Sequence, residues 1–201
     1  MGRGRQNPYA RPDHRTRSAK AAGYPARSVF KLEEIDRRVR LLGPGQHVLD
    51  LGAAPGSWSK YVAERIGPSG RLLAVDLEPL AVPLPPLAEV VCGDVLSLDR
   101  LALGRLAPYD VVLSDMAPRT TGNKSADAWR SYELFDRALE LANETLKPGG
   151  SFVGKIFMGE SFAEARSKTA RCFGEVRIIR PGTTRSMSVE VFLVGLGARG
   201  V

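Results

Sequence analysis

Five short apolar runs in this 201-residue chain end in, or carry, residues suited to holding a small polar ligand. The first contains Asp50 and breaks into the small-residue loop Gly52-Ala53-Ala54-Pro55-Gly56-Ser57-Trp58. The second finishes at Asp76, the third at Gly93-Asp94, the fourth at Asp115-Met116-Ala117-Pro118, and the fifth contains Lys155. A carboxylate 26 positions after Asp50 suits bidentate binding of a ribose diol. Asp94 can accept a hydrogen bond from an adenine amino group. Either aspartate alone is also an ordinary turn residue; together they describe an adenosine-bearing ligand. The loop is not the dinucleotide fingerprint, because its glycines fall at 52 and 56 with Pro55 between them. It also lacks the Lys-Ser/Thr of a phosphate cradle, and no lysine follows until Lys60. Adenosine without a phosphate grip points to S-adenosylmethionine, lying against Gly52, Ala53, Pro55 and Gly56.

These residues need a scaffold that brings the ends of separate strands together. The run through Asp50, the glycine loop and the helical spacing of Tyr61, Val62 and Ile66 read as strand, turn and helix. Upstream, Val29, Leu32, Ile35 and Val39 predict a helix over 27–39, capped by Ser28, with Lys31 off the apolar stripe. Further strands are predicted at 71–77, 89–92, 109–114, 151–157, 176–179 and 189–195. Helices are predicted at 57–66, 126–146 and 159–172, and the prolines at 79, 83, 85 and 86 leave no room for a helix after the second strand. Strands alternating with helices, and apolar throughout, indicate a parallel sheet covered on both faces. Ligands in such sheets sit at the carboxyl ends of the strands, where the charged residues cluster. The expected fold is α/β and Rossmann-like, with a mostly parallel seven-stranded sheet.

The first 40 residues hold 11 Lys/Arg against 4 Asp/Glu, which accounts for the whole net charge of +7. With Gly2, Gly4, Pro8, Pro12 and Gly23, this segment reads as a basic, flexible arm over 1–26, ahead of a ligand-binding domain over 27–201. Such arms track phosphate backbones without reading sequence. Arg15, Arg17, Lys20 and Arg27 are candidate RNA contacts, as are Arg180 and Arg185 in a late loop, and Tyr9 and Tyr24 could stack on bases. Two cysteines, 80 positions apart, are too few for a disulfide framework and fit reduced intracellular thiols. His14 and His47 have no partner at ligand spacing, so no metal is expected. No apolar run approaches the roughly 20 residues of a membrane span. A cytoplasmic monomer follows.

Four blocks together resemble the FtsJ/RrmJ family of ribose 2′-O-methyltransferases. They are Asp50-Leu-Gly-Ala-Ala-Pro-Gly-Ser-Trp-Ser, Ser114-Asp-Met-Ala-Pro, Gly149-Gly-Ser-Phe-Val-Gly-Lys155 and Ser188-Val-Glu190-Val. The resemblance runs from about residue 27 to 197, and it implies the class I S-adenosylmethionine-dependent methyltransferase form of the α/β fold. It implies a Lys-Asp-Lys-Glu tetrad around the reacting hydroxyl, falling on Lys31, Asp115, Lys155 and Glu190. It implies cofactor contacts from Gly56, Trp58, Asp76, Asp94 and Asp115, and a uridine 2′-hydroxyl of large-subunit 23S ribosomal RNA as the substrate. Asp115 would orient Lys155, and Glu190 with Lys31 would position the ribose. Lys155 then serves either as a base, if desolvation or Lys31 lowers its ordinary pKa of about 10.4, or as a cation facing the developing alkoxide. Ser57, Val189 and the run Arg119-Thr120-Thr121-Gly122 depart from the usual family pattern near the substrate side. Transfer RNA and messenger RNA caps are the alternative targets, and a silent RNA- or ribosome-binding relative is the alternative class. An NAD-dependent dehydrogenase is disfavoured by the glycine spacing.

Overall fold

The computed structural model describes residues 14–184 and 188–200. Thirteen elements appear in it. The strands are β1 (His47–Leu51), β2 (Arg71–Asp76), β3 (Ala88–Cys92), β4 (Tyr109–Ser114), β5 (Leu146–Phe157), β6 (Phe173–Ile179) and β7 (Glu190–Ala198). The helices are α1 (His14–Ala21), α2 (Val29–Val39), α3 (Ser57–Ile66), α4 (Arg100–Gly104), α5 (Lys124–Thr145) and α6 (Phe162–Cys172). One seven-stranded sheet runs in the order β3-β2-β1-β4-β5-β7-β6. The first five strands are parallel, and β7 inserts antiparallel between β5 and β6. Strand order reverses between β1 and β4, the topological switch point of such a sheet.

Side-chain alternation divides the core in two. Leu49, Leu51, Leu73, Val75 and Phe152 face one side, where Phe135, Ala138 and Leu141 of α5 and Ala165 of α6 cover them. Val48, Leu72, Val111, Leu113 and Val153 face the other, under Leu32 and Ile35 of α2 and Trp58, Val62 and Ile66 of α3. The expected two-sided, mostly parallel α/β sheet is present, and the proline-rich stretch after β2 is irregular as anticipated.

Several boundaries differ from the sequence expectations. From residue 14 on, the segment expected to lack order is helical and docked: Ala19 is fully buried and Arg15 donates to the Gly182 carbonyl at 3.0 Å. Gly23, with φ +78°, ends that helix in the left-handed region. Tyr24 is engaged as well, its hydroxyl donating to Glu64 and its ring lying 4.9 Å below Lys60 Nζ. Of the expected RNA contacts, Tyr9 and Arg185 lie outside the described residues. Helix α2 starts at Val29, two residues later than expected, and Ser28 makes no side-chain cap bond. Its carbonyl instead accepts from Trp58 Nε1 at 2.9 Å. Strand β5 begins at Leu146, where the long helix was expected to end, and its ladder with β4 shifts register before becoming regular at Ser151. The short helix α4 had no periodic signal in the sequence.

Candidate active site

The carboxyl edge of the sheet carries two neighbouring features, a narrow cleft and a set of ion pairs. The cleft, about 120 Å³, is lined by Gly52, Asp76, Asp94, Val95, Met116 and Leu134. Gly52 has φ +79°, and a Cβ there would stand 2.8 Å from Met116, so only glycine lets β1 and β4 meet at this point. Asp76 is clamped: Oδ2 accepts from Ala54 N at 2.8 Å and Oδ1 from Glu78 N at 2.9 Å. Asp94 Oδ1 accepts from Leu96 N at 3.0 Å, an Asx turn that fixes its carboxylate at the cleft rim. Two fixed carboxylates and an apolar wall of Met116 and Leu134 match an adenosine group, whose hydroxyls and amino group are donors and whose base is flat and apolar.

Beneath the loop, Asp50 is fully buried, its Oδ2 accepting from Ser59 Oγ at 2.6 Å and its Oδ1 without a partner. Burial, reinforced by the negative charges of Asp115 and Asp76, pushes its carboxyl up to about 7.

Not every expected cofactor residue faces the cleft. Gly52, Asp76 and Asp94 do. Ala53 is buried, its N–H donating to Val75 O. Pro55 and Gly56 turn toward the proline-rich loop: Pro55 O accepts from Ala81 N, and a Cβ on Gly56 would meet Val82 at 2.7 Å. The Trp58 ring is 3% exposed, packs 5.7 Å from Phe192 in the core under α2, and is not among the side chains that line the cleft. Gly56, at φ +104°, turns the chain into α3, whose first three residues, Ser57, Trp58 and Ser59, are all buried.

The four tetrad positions form two ion pairs. Lys155, 6% exposed on β5, donates to the backbone carbonyl of Asp115, and its Nζ lies 2.9 Å from Asp115 Oδ1. Lys31 of α2 pairs with Glu190 Oε1 at the start of β7, both side chains 13% exposed. Thr184 Oγ1 also donates to Glu190 Oε1, at 3.3 Å. Lys155 faces Phe192 across the β5–β7 ladder and Phe157 faces Glu190. Lys155 and Glu190 therefore share a face on a ladder diagonal, about 7–8 Å apart at the backbone. That is the face covered by α2, which supplies Lys31.

One structural carboxylate escaped the sequence reading. Asp127, in the first turn of α5, accepts from Thr121 N at 2.8 Å, Thr121 Oγ1 at 2.9 Å and Gly122 N at 3.1 Å. The Thr121 backbone N–H leads in holding its carboxyl below the usual carboxylate value. It ties down the loop that leads away from Asp115. Among the expected RNA contacts, Arg17 and Lys20 are exposed on α1 and Arg27 is half-buried, whereas Arg180 donates to Ser188 O at 2.6 Å. Among the described residues, no cluster of three His, Cys, Asp or Glu side chains could hold a metal, and no helix is long and apolar enough to cross a membrane.

Comparison with known proteins agrees with this geometry. The "Ribosomal RNA large subunit methyltransferase E" of Sorangium cellulosum is 66% identical over 191 residues, covering 95% of this chain and 90% of that protein. A crystal structure of a ribosomal RNA methyltransferase, described as putative, from Plasmodium falciparum superposes with a TM-score of 0.78 at 24% identity, covering 89% of this chain and all of the other. Fibrillarin from Aeropyrum pernix, solved with natively bound S-adenosyl-L-methionine, shares the fold with a TM-score of 0.59 at 17% identity, over 84% of this chain and 76% of its own. The profile of the FtsJ-like methyltransferases matches residues 24–198, nearly the whole described chain. With the two ion pairs and the cleft at one edge of such a sheet, the chain belongs to the FtsJ-like methyltransferase family.

Proposed function

We propose that this protein transfers the methyl group of S-adenosylmethionine to a ribose 2′-hydroxyl, that of a uridine, in large-subunit ribosomal RNA, acting as a cytoplasmic monomer. The observation that carries the reading is Lys155, buried and held by Asp115 beside a cleft suited to adenosine. The name of the Sorangium relative supports ribosomal RNA as the substrate class.

When bound, S-adenosylmethionine supplies a sulfonium methyl already activated for transfer. The protein's task is then alignment and charge stabilisation. Asp76 and Asp94, fixed by backbone N–H groups, receive the donors of the adenosine. Met116 and Leu134 give its base an apolar wall. A lysine ammonium has three N–H groups. The Asp115 carbonyl accepts one of them, and its carboxylate pairs with the ammonium at 2.9 Å as an ion contact without a hydrogen bond at Oδ1, so Lys155 keeps N–H groups for the substrate oxygen. Lys155 thus stabilises the alkoxide as the hydroxyl proton leaves to water, and Asp115 keeps the ammonium oriented. The Lys31–Glu190 pair, on the same face, positions the ribose. Arg17 and Lys20, exposed on α1, meet the phosphate backbone.

The experiment is tritiated methyl transfer from S-adenosylmethionine to isolated large ribosomal subunits and to bulk transfer RNA, with wild type and Lys155→Ala in parallel. The expected result is wild-type label in large-subunit RNA only, resisting alkaline cleavage at one position. Label in transfer RNA would move the target and keep the chemistry. Cofactor binding with no label in either RNA would mark a silent binder.

A further inference from the structure

Seven large apolar side chains are exposed among the described residues, and three of them belong to segments that meet at the end of the β5–β7 ladder carrying Glu190. Trp129 is 53% exposed, Met158 48% and Val189 47%. Met158 N donates to Val189 O at 2.8 Å, so two of the three share one backbone bond at the open end of the β5–β7 ladder. One residue further in, Phe157 faces Glu190. Trp129 reaches the same place from α5, where Ser131 Oγ accepts from Phe157 N at 3.0 Å and locks helix to strand. Trp129, Met158, Lys124 and Glu160 line a cavity of about 170 Å³ between the start of α5 and the turn after β5.

This surface is built, not merely left open. The Trp129 ring leans on Tyr132, centroids 5.6 Å apart. Tyr132 is 6% exposed and fixed by Glu164 and by Lys168 lying 5.3 Å above its ring. The turn after β5 is pressed onto α5 so closely that a Cβ on Gly159 would stand 2.7 Å from Ala128 Cβ. An indole held from behind with its other side open is a platform for a flat partner. Lys124, exposed at the first position of α5, puts a positive charge at the cavity mouth. Aromatic stacking combined with a nearby cation is the pattern that binds single-stranded nucleic acid, and base stacking tolerates any base.

We propose that Trp129 and Met158 form a stacking site for an unpaired nucleobase next to the methylated nucleotide, with Lys124 meeting its phosphate. The proposal deepens the reading of the protein as an RNA methyltransferase and rests on it. The site lies on the α5 side of the same sheet edge whose α2 side carries the Lys31–Glu190 pair, so a strand that crosses this edge from the tetrad delivers its next base to the indole. Stacking there splays the strand and presents the 2′-hydroxyl.

Tryptophan fluorescence tests the site independently of activity. Trp58 is buried in the core, which leaves Trp129 as the indole that meets RNA. Titrating the full-length protein with protein-free, unmethylated large-subunit ribosomal RNA should quench the wild-type emission. Trp129→Phe should lose the quench and keep RNA affinity within about two-fold, because its ring still stacks. Trp129→Ala should raise KM for large subunits by about ten-fold, leave kcat within about two-fold, and leave the cofactor Kd unchanged. Trp129→Phe should restore KM. Failure of wild-type emission to respond to RNA overturns the site, whether or not the enzyme methylates. A quench in a protein that transfers no methyl would sink the functional reading and keep the site. A KM defect on assembled subunits, with protein-free RNA bound equally by wild type and Trp129→Ala, would assign this face to a ribosomal protein and overturn the nucleobase proposal.

Discussion

Lys155 grips Asp115 twice, through the backbone carbonyl and through Oδ1 at 2.9 Å, and so joins the ends of β4 and β5 at the sheet's carboxyl edge. A carboxylate that orients a cation in this way leaves the charge itself as the chemical agent. Lys155→Ala is expected to lower kcat by about 100- to 1,000-fold, the usual cost of removing one transition-state donor. Lys155→Arg keeps the cation and should retain clearly more activity than alanine. Single-turnover rates with preloaded cofactor provide the measurement, and an arginine variant as inactive as alanine would favour a neutral-amine base.

The Lys31–Glu190 pair behaves as a unit. Lys31→Ala and Glu190→Ala should each raise KM for the RNA more than they depress cofactor affinity. Their effects on kcat/KM should be non-additive by about 0.5–3 kcal/mol in a double-mutant cycle, the range for residues in direct contact.

Asp76 holds the loop through Ala54 N, and in the proposed function it holds the ligand as well. Asp76→Ala should weaken S-adenosylmethionine binding by about 10- to 100-fold, read by calorimetry, because a charge-assisted hydrogen bond is worth about 1.5–3 kcal/mol.

The buried Asp50 makes stability depend on pH in an unusual direction. Its folded pKa, about 7, lies above the unfolded value of 3.8. Below the unfolded value both states are protonated. Between the two values the unfolded chain ionises while the folded one retains its proton, so the native state loses stability as pH rises through this window. The loss is at most about 4 kcal/mol. Asp50→Asn should abolish this dependence, raising Tm at pH 8 relative to pH 4 compared with wild type, since Ser59 Oγ can still donate to the amide oxygen.

Asp127 acts in the opposite sense. Its depressed folded pKa gives stability that is present above the ordinary carboxylate value of about 3.9 and disappears as pH falls through the folded value. In Asp127→Asn that acid-range component should be absent, and the amides of Thr121 and Gly122 should exchange faster with solvent at neutral pH.

Much of this site was legible because it is local. Apolar runs ending in Asp76, Asp94 and Asp115 announce strand termini, and a parallel sheet gathers such termini on one edge. What escaped depends on contacts with no local trace. Helix α1 reads as a glycine- and proline-flanked basic tail, yet Arg15 reaches a carbonyl 167 positions away and Ala19 is buried. Trp58 follows the glycine loop as a ligand contact would, but its ring packs in the core. Ser28 has the residue type of a cap and spends its carbonyl on Trp58 instead. Asp127 looks like an ordinary first-turn acid until the preceding loop folds back on it.

The place of β7 ties the Lys31–Glu190 pair to the closing of the sheet. This strand is not at the edge but between β5 and β6, and it carries Glu190. The residues that line the adenosine-sized cleft all lie between β1 and α5, so β7 contributes none of them. With the β7 ladders opened, β5 and β6 would offer unpaired backbone edges and Lys31 would lose its carboxylate. Loosening of that one strand would therefore separate the Lys31–Glu190 pair while leaving the lining of the cleft in place.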